Sequence, residues 1–382
     1  MEFSLSEDQQ ALIDAADRFA TQRLKPGYRA REHAGRIERE LAREMGQLGF
    51  IAPELPVDFG GSGLDRLSSG LLLESIARGD FNVAYVNLLA SLCGQIVAQY
   101  GRSSMAREWL RAVTAGEKLI AIALTEPHAG SDAARIRLRA QRKGDHFVLN
   151  GEKASISMAT QADVAVVFAR TGSESEGARG ISAFLVPLDL PGISRSAFDD
   201  VGTRPVGRGA IFFDGAHVPA DMMLGDEGQG FVQVMQGFDF SRALIGLQCM
   251  AVARVSLDET WRYVQEREAF GRPIAEFQGV TFPLAEAETQ YEACRWLCLR
   301  TLWLKDQELP HTAEAAMCKW WAPKLACEII QQCLIAHGHG GYSNDLPFGQ
   351  RYRDVLGLQI GDGTANIMKM IISRQMLARH RP

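Results

Sequence analysis

The sequence predicts an α+β chain in three consecutive parts: an all-helical segment over 1–119, an antiparallel β domain over 120–226 and a helical bundle over 227–382. Three observations predict this. Apolar residues recur at helical spacing in the first and last parts. Between Leu119 and Ala220 short β-rich runs alternate with turn signals, and no stretch has a helical pattern of fair length. No GxGxxG follows a strand, so a doubly wound dinucleotide-binding sheet has no support.

Phe3, Leu5, Leu12, Ala16, Phe19 and Ala20 form the first apolar stripe, and Ser6 with Gln9 fits a capping box at its start. A second helix runs from Glu38 to Leu48 and stops at Gly49. Residues 51–65 are turn-rich, and Leu67 to Ala77 is helical again. Phe81 to Tyr100 is a mostly uncharged stretch of helical length, which must be buried on several faces or line an apolar pocket. Ser103 to Leu110 is one more short helix. The expected strands are Phe147–Leu149, Val164–Ala169, Ile181–Val186 and Ala210–Phe213, separated by KGDH, NGEK, GSESEG, DLPG and FDGA. Four long helices follow, Phe231–Val264, Gln278–Lys305, Thr312–Ala336 and Thr364–Arg379, interrupted by Gly-rich turns at 338–342 and 361–364.

Composition narrows the function. With 46% hydrophobic and 23% charged residues, the 382-residue chain is an ordinary globular one, not a disordered one. The formal charge of −5 and the absence of a basic tract argue against nucleic acid as a partner. Cys93, Cys249, Cys294, Cys298, Cys318, Cys327 and Cys333 are odd in number and form no CxxC, so buried thiols are expected and no zinc site. His128, His337 and His339 lack a third ligand at metal spacing, and no metal is assigned. The acid-containing start is neither a signal nor a transit peptide, and no uncharged apolar run has the length of a membrane span. A cytoplasmic protein without membrane contact is expected.

Chemistry concentrates in a few strings. TEPHAGSD (125–132) offers the Thr125 and Ser131 hydroxyls in a Gly- and Pro-containing turn. It resembles a signature of the acyl-CoA dehydrogenases, which are FAD flavoenzymes. NGEKASISMA (150–159), LGDEGQGF (224–231), FDFSR (238–242), REAFGRPIAEFQ (267–278), HGHGGY (337–342) and RDVLGLQIGDGTANI (353–367) are similar to further family segments, in the family's order, over nearly the whole chain. The resemblance implies helical, β-barrel-like and four-helix-bundle domains. It also implies a homotetramer built as a dimer of dimers, and electron-transfer flavoprotein as the electron acceptor. The implied reaction takes the α-proton of an acyl-CoA with a carboxylate and passes the β-hydride to flavin N5.

Residue by residue, the resemblance makes Asp362 the base, in Gly361-Asp362-Gly363-Thr364, where many relatives have Tyr-Glu-Gly-Thr. Ser241 stands where other relatives carry the base, and it cannot serve. For FAD the resemblance names Ile122, Leu124, Thr125 and Ser131, then Ser155 and Ser157, where relatives often have Trp and Thr. Across a subunit boundary it names Arg267, Phe270, Gln278, Gly338, His339 and Gly340, with Ile335 in place of a common Gln, and lastly Thr364 and Asn366. For the acyl-CoA it names Tyr85, Leu88, Leu89 and Ser91 along the acyl group, and Ser131, Asp239 and Arg242 along the CoA arm. Gly361, Asp362 and Gly363 lie at the thioester, whose carbonyl would receive the Asp362 N–H. Arg204 matches a structural arginine of the β domain.

Asp is one methylene shorter than Glu, which sets its oxygens back by about 1.5 Å. Gly361 in place of Tyr opens space beside it. Both changes favour a bulkier α-carbon, in a branched or cyclic acyl group. The resemblance to Asp-type family members that act on cyclohexane-1-carboxyl-CoA makes that thioester, oxidised to cyclohex-1-ene-1-carboxyl-CoA, the leading expectation. Isobutyryl-, 2-methylbutyryl- or butyryl-CoA is the alternative. A nitroalkane-oxidase-like flavoenzyme and a non-catalytic FAD-binding assembly protein are further alternatives. Thr364, Arg267 and Arg242, kept beside Asp362, argue against the last.

Overall fold

A computed structural model describes residues 4–102 and 104–380. Phe3 of the first apolar stripe and Ser103 of the expected fifth helix lie outside them. The first part holds six helices: α1 (Glu7–Phe19), α2 (Tyr28–Ala34), α3 (Arg39–Gln47), α4 (Arg66–Gly79), α5 (Ala84–Tyr100) and α6 (Ser104–Thr114). The capping box at α1 forms: Gln9 N donates to Ser6 Oγ at 3.1 Å, and Ser6 N donates to Gln9 Oε1 at 3.1 Å. The uncharged helix α5 is buried over nearly its whole length, packed on the long bundle helix and on the first strand.

Eight strands follow: β1 (Ile120–Ala123), β2 (Arg139–Lys143), β3 (His146–Ile156), β4 (Val164–Arg170), β5 (Ile181–Pro187), β6 (Ile193–Ala197), β7 (Gly209–Pro219) and β8 (Met223–Leu224). They form one sheet in the order β6-β7-β3-β2-β4-β5-β8, with β1 also paired to β4. The expected antiparallel β-barrel is therefore incorrect: the sheet is open, and it is mixed. β1 runs parallel to β4 from Ile120↔Val164 to Ala123↔Val167, and β2 meets β4 in parallel at Arg139↔Arg170. A parallel pair needs a crossover, usually a helix, and the absence of one pointed to antiparallel pairing throughout. Here the β2–β3 hairpin itself makes the crossover. β6 and β8 end the sheet and do not pair with each other, so it does not close.

The third part holds α7 (Gly230–Glu266), a two-stranded ribbon of β9 (Glu268–Ala269) and β10 (Arg272–Pro273), and α8 (Gln278–Asp306). It continues with α9 (Thr312–Ala336), α10 (His339–Tyr342), α11 (Phe348–Leu356) and α12 (Ala365–Arg379). α7 is long and apolar enough to cross a bilayer, yet 89% of its apolar 18-residue window is buried inside the protein. It packs on α8, α9, α4 and α5. All seven cysteines are free and buried. This packing brings α5, α7 and α9 around one turn, residues 357–364, just before α12.

Candidate active site

That turn sets Asp362 in an uncommon backbone conformation. After a 3₁₀ turn at Gly357–Gln359, Asp362 has φ +54° and Gly363 φ +101°. Asp tolerates the left-handed region better than most side chains do, and an observed positive φ marks a conformation that its surroundings must hold. Lys319 of α9 holds it: the fully buried Nζ donates to the carbonyls of Leu358 at 2.6 Å and Gly363 at 3.2 Å. Among the described residues the Asp362 N–H donates to no backbone carbonyl.

The carboxyl of Asp362 meets three helices. Lys319 on α9 and Arg242 on α7 act on it as positive charges, and its own charge reaches Tyr85 and Cys93 on α5. Burial raises its pKa above the ordinary aspartate range, while Lys319 and Arg242 oppose the rise. The residue is half-buried. Arg242 is buried, bonded to Asp239 Oδ1 at 3.0 Å, and its Nε has no partner among the described residues. Asp239 also accepts from Thr312 at 2.6 Å. Tyr85, Leu88 and Leu89 are buried along α5. Ser91 is engaged inside the helix, its hydroxyl donating to Asn87 Oδ1 at 3.2 Å. A Cβ added at Gly361 would meet only the Gly357 carbonyl, at 3.7 Å, so space is open there.

On the sheet side, the end of β1 and the segment of β3 meet. Lys153, fully buried, donates to the Leu124 carbonyl and to Glu126 Oε1, both at 2.8 Å, and Ala154 N donates to the Thr125 carbonyl at 2.9 Å. Ile122 and Thr125 are half-buried, Leu124 is buried, and Ser131 and Ser155 are exposed with Ser157 half-buried. Ser155 and Met158 both have positive φ, at +59° and +63°. Thr364 starts α12 without a side-chain cap bond, and Asn366 lies exposed in its first turn.

A third group gathers in a separate cleft of about 850 Å³. Arg267, Ile335, Gly338, His339 and Gly340 line it, with His337 stacked on Tyr263 at 4.1 Å between ring centroids. Gly338 has φ +59°, a conformation that suits glycine. Phe270 stands 96% exposed at the tip of the β9–β10 ribbon, and Gln278 is exposed at the start of α8. Arg204 is bonded to Asp199 and to the Asp200 carbonyl.

Comparison with known proteins decides what this arrangement belongs to. The chain matches the family descriptions "Acyl-CoA dehydrogenase, N-terminal domain" over residues 6–117, "middle domain" over 121–216 and "C-terminal domain" over 228–377. It is 34% identical over 379 residues to the rat mitochondrial short-chain specific acyl-CoA dehydrogenase, covering 99% of this chain and 92% of that one. The solved butyryl-CoA dehydrogenase of Megasphaera elsdenii superposes with a TM-score of 0.95 at 32% identity, over 99% of this chain and 100% of the other. A subunit of the caffeyl-CoA reductase-Etf complex of Acetobacterium woodii is 34% identical over 350 residues, covering 91% of this chain and 92% of that one. The chain belongs to the acyl-CoA dehydrogenase family.

It is an FAD-dependent enzyme that dehydrogenates acyl-CoA thioesters. The residues present fit FAD. The hydroxyls of Thr125, Ser157 and Thr364 and the amide of Asn366 are groups of the kind that bond a flavin's polar edge. Arg267 makes no ion pair among the described residues and lines a cleft beside a glycine-rich helix start, a setting suited to a diphosphate. The orphaned Arg242 Nε and the free Asp362 N–H suit a polar ligand between them. Asp362, Arg242 and Tyr85 are thus brought together. The Arg267 cleft stands apart from them, as expected if it serves the cofactor of another subunit. Lys319, Lys153 and Glu126 escaped the sequence reading. Their signal is a charged residue inside an apolar run, as in AMCKWWA, where solvent cannot be the partner.

Proposed function

We propose that the enzyme α,β-dehydrogenates a short, branched acyl-CoA, with Asp362 as the base. The observation behind this reading is the pairing of a short carboxylate, Asp362, with the open space at Gly361, within electrostatic reach of Tyr85 on the buried helix α5. An α C–H beside a thioester is a weak acid, so a base must be held close to it with little water present. Burial supplies that setting and raises the pKa of Asp362 toward the operating pH, which strengthens it as a base. Lys319 and Arg242 act against that rise and favour the ionised form. The Asp362 N–H donates to the thioester oxygen as negative charge develops there. FAD, when bound, supplies the acceptor for the β-hydride.

The shorter side chain leaves room for a tertiary α-carbon, and the likeness to the rat short-chain enzyme and to butyryl-CoA dehydrogenase supports a compact acyl group. Cyclohexane-1-carboxyl-CoA is a second reading, favoured only by the room at Gly361. Electron-transfer flavoprotein is the proposed acceptor, supported by the Etf-complex relative. The exposed Phe270 and the Arg267 cleft support a homo-oligomer that shares its FAD sites. Anaerobic flavin reduction by butyryl-, isobutyryl-, 2-methylbutyryl- and cyclohexane-1-carboxyl-CoA tests the reading. Isobutyryl- or 2-methylbutyryl-CoA should give the highest kcat/KM. A preference for butyryl-CoA overturns the branched assignment, and one for the ring selects the second reading.

A further inference from the structure

We propose that Lys319 is a positioning residue for Asp362, fixing the turn that aims the carboxyl by bonding its backbone on either side. This rests on Asp362 being the base. Lys319 sits in the middle of α9, fully buried among Ala315, Ala316 and Ala322, themselves buried. Its Nζ reaches across to the carbonyl of Leu358, before the base, at 2.6 Å, and to that of Gly363, directly after it, at 3.2 Å. The two bonds straddle the one residue of the turn that combines a side chain with a positive φ.

A neutral amide can serve two carbonyls. An ammonium in the same place costs several kcal/mol of lost hydration unless a negative charge faces it. The groups acting on Lys319 are Asp362, the Cys249 thiol of α7 and Arg242 of α7. Of these, Asp362 supplies the negative charge. Burial brings the Lys319 pKa down to about 8, with Asp362 opposing that fall. Around Asp362 itself stand Lys319 from α9, Arg242 from α7, and Tyr85 and Cys93 from α5. The two phenol and thiol groups are neutral, because burial raises both pKa values. Lys319 and Arg242 are therefore the cations that favour the ionised base, and of the two only Lys319 also bonds its backbone.

The sign of the pH effect follows. The reaction needs Asp362 ionised, so the rate rises with pH through the carboxyl's pKa. Removing the Lys319 charge raises that pKa and moves the acid limb to higher pH. A helix-packing role would leave the limb in place.

The experiment compares the holoenzyme with Lys319→Met, Lys319→Arg and Asp362→Asn. It measures flavin-to-protein ratio, binding of the enoyl-CoA product, and the pH profile of anaerobic flavin reduction by isobutyryl-CoA. Lys319→Met should keep FAD and bind product within about threefold. It should reduce flavin ~10²-fold more slowly, with its acid limb about one unit higher. Lys319→Arg should restore the limb but not the full rate. Should Lys319→Met fail to accumulate as folded holoenzyme, Lys319→Gln, which keeps a donor and loses the charge, takes its place with the same expectation. If Asp362→Asn is inactive while the neutral Lys319 variant keeps the wild-type rate and limb, the Lys319 proposal falls alone. If Asp362→Asn reduces flavin at the wild-type rate, the base assignment falls and takes this proposal with it.

Discussion

Lys153 Nζ lies 2.8 Å from Glu126 Oε1, and both side chains are buried. The pair joins β3 to the loop that follows β1, which are the two sheet segments that border the candidate flavin site. Glu126 also accepts from the N–H groups of Arg137 and Leu138, at 2.6 and 2.9 Å, so one carboxylate organises the whole loop. Burial brings the Lys153 pKa down to about 8, while Glu126 opposes the fall.

Breaking that pair leaves an uncompensated buried charge. Lys153→Met should lower unfolding stability by about 3–5 kcal/mol and lose FAD on gel filtration. The double variant Lys153→Met/Glu126→Gln should be more stable than the sum of the two single losses, because it removes the orphaned charge. Chemical denaturation of the four proteins, with absorbance for flavin content, checks this. Strict additivity would contradict the coupling.

Asp354 gives a pH test of stability. It is fully buried and accepts from Tyr28 Oη at 2.6 Å, Asn82 Nδ2 at 2.8 Å and Thr203 N at 2.6 Å, tying the first helical part, the sheet domain and α11 together. Burial outweighs these donors and raises its pKa to about 7. A carboxyl whose folded pKa is raised binds its proton more tightly in the folded state. Its stabilising contribution is therefore complete below about pH 4 and is lost as pH rises through 7. Asp354→Asn should flatten the decline in stability between about pH 4 and pH 7, as read from denaturation midpoints at each pH. An unchanged slope would refute it.

Filling the gap beside the base should change specificity. Gly361→Tyr places a ring where an added Cβ now meets only one carbonyl, at 3.7 Å. The ratio of kcat/KM for butyryl- over isobutyryl-CoA should rise at least about tenfold, within what one altered pocket contact can deliver. An unaltered ratio would show that the acyl group does not extend past Gly361.

Arg267 should report on the second cleft. Arg267→Ala removes a guanidinium that has no protein partner among the described residues. Loss of one charge-assisted contact of about 1.5–3 kcal/mol should weaken FAD retention by about tenfold or more. Dialysis followed by flavin absorbance measures it. Full retention would place the diphosphate elsewhere.

Much of this arrangement was legible in the sequence because it depends on short-range pattern. The Ser6–Gln9 cap and the uncharged α5 follow from spacing alone. The bounds of the four long helices of the third part also lie close to those expected. Strand pairing does not follow from local pattern, so β1 beside β4 and the open edges at β6 and β8 were not foreseen. The motif strings marked Asp362 and Arg242, and the register of the uncharged helix marked Tyr85; the fold brings the three to one place from far apart in the chain. Lys319 and Lys153 were overlooked because their partners are backbone carbonyls and a carboxylate supplied by other elements. Ser91, picked out by position on α5, is instead engaged with Asn87 inside that helix.

The most direct test is single-turnover flavin reduction under anaerobic isobutyryl-CoA, comparing wild type with Asp362→Asn. The two should contain equal FAD and bind the enoyl-CoA product alike. The variant should bleach at least ~10²-fold more slowly, the share that a positioned base contributes. Bleaching at the wild-type rate would show that another group takes the α-proton and would contradict the account.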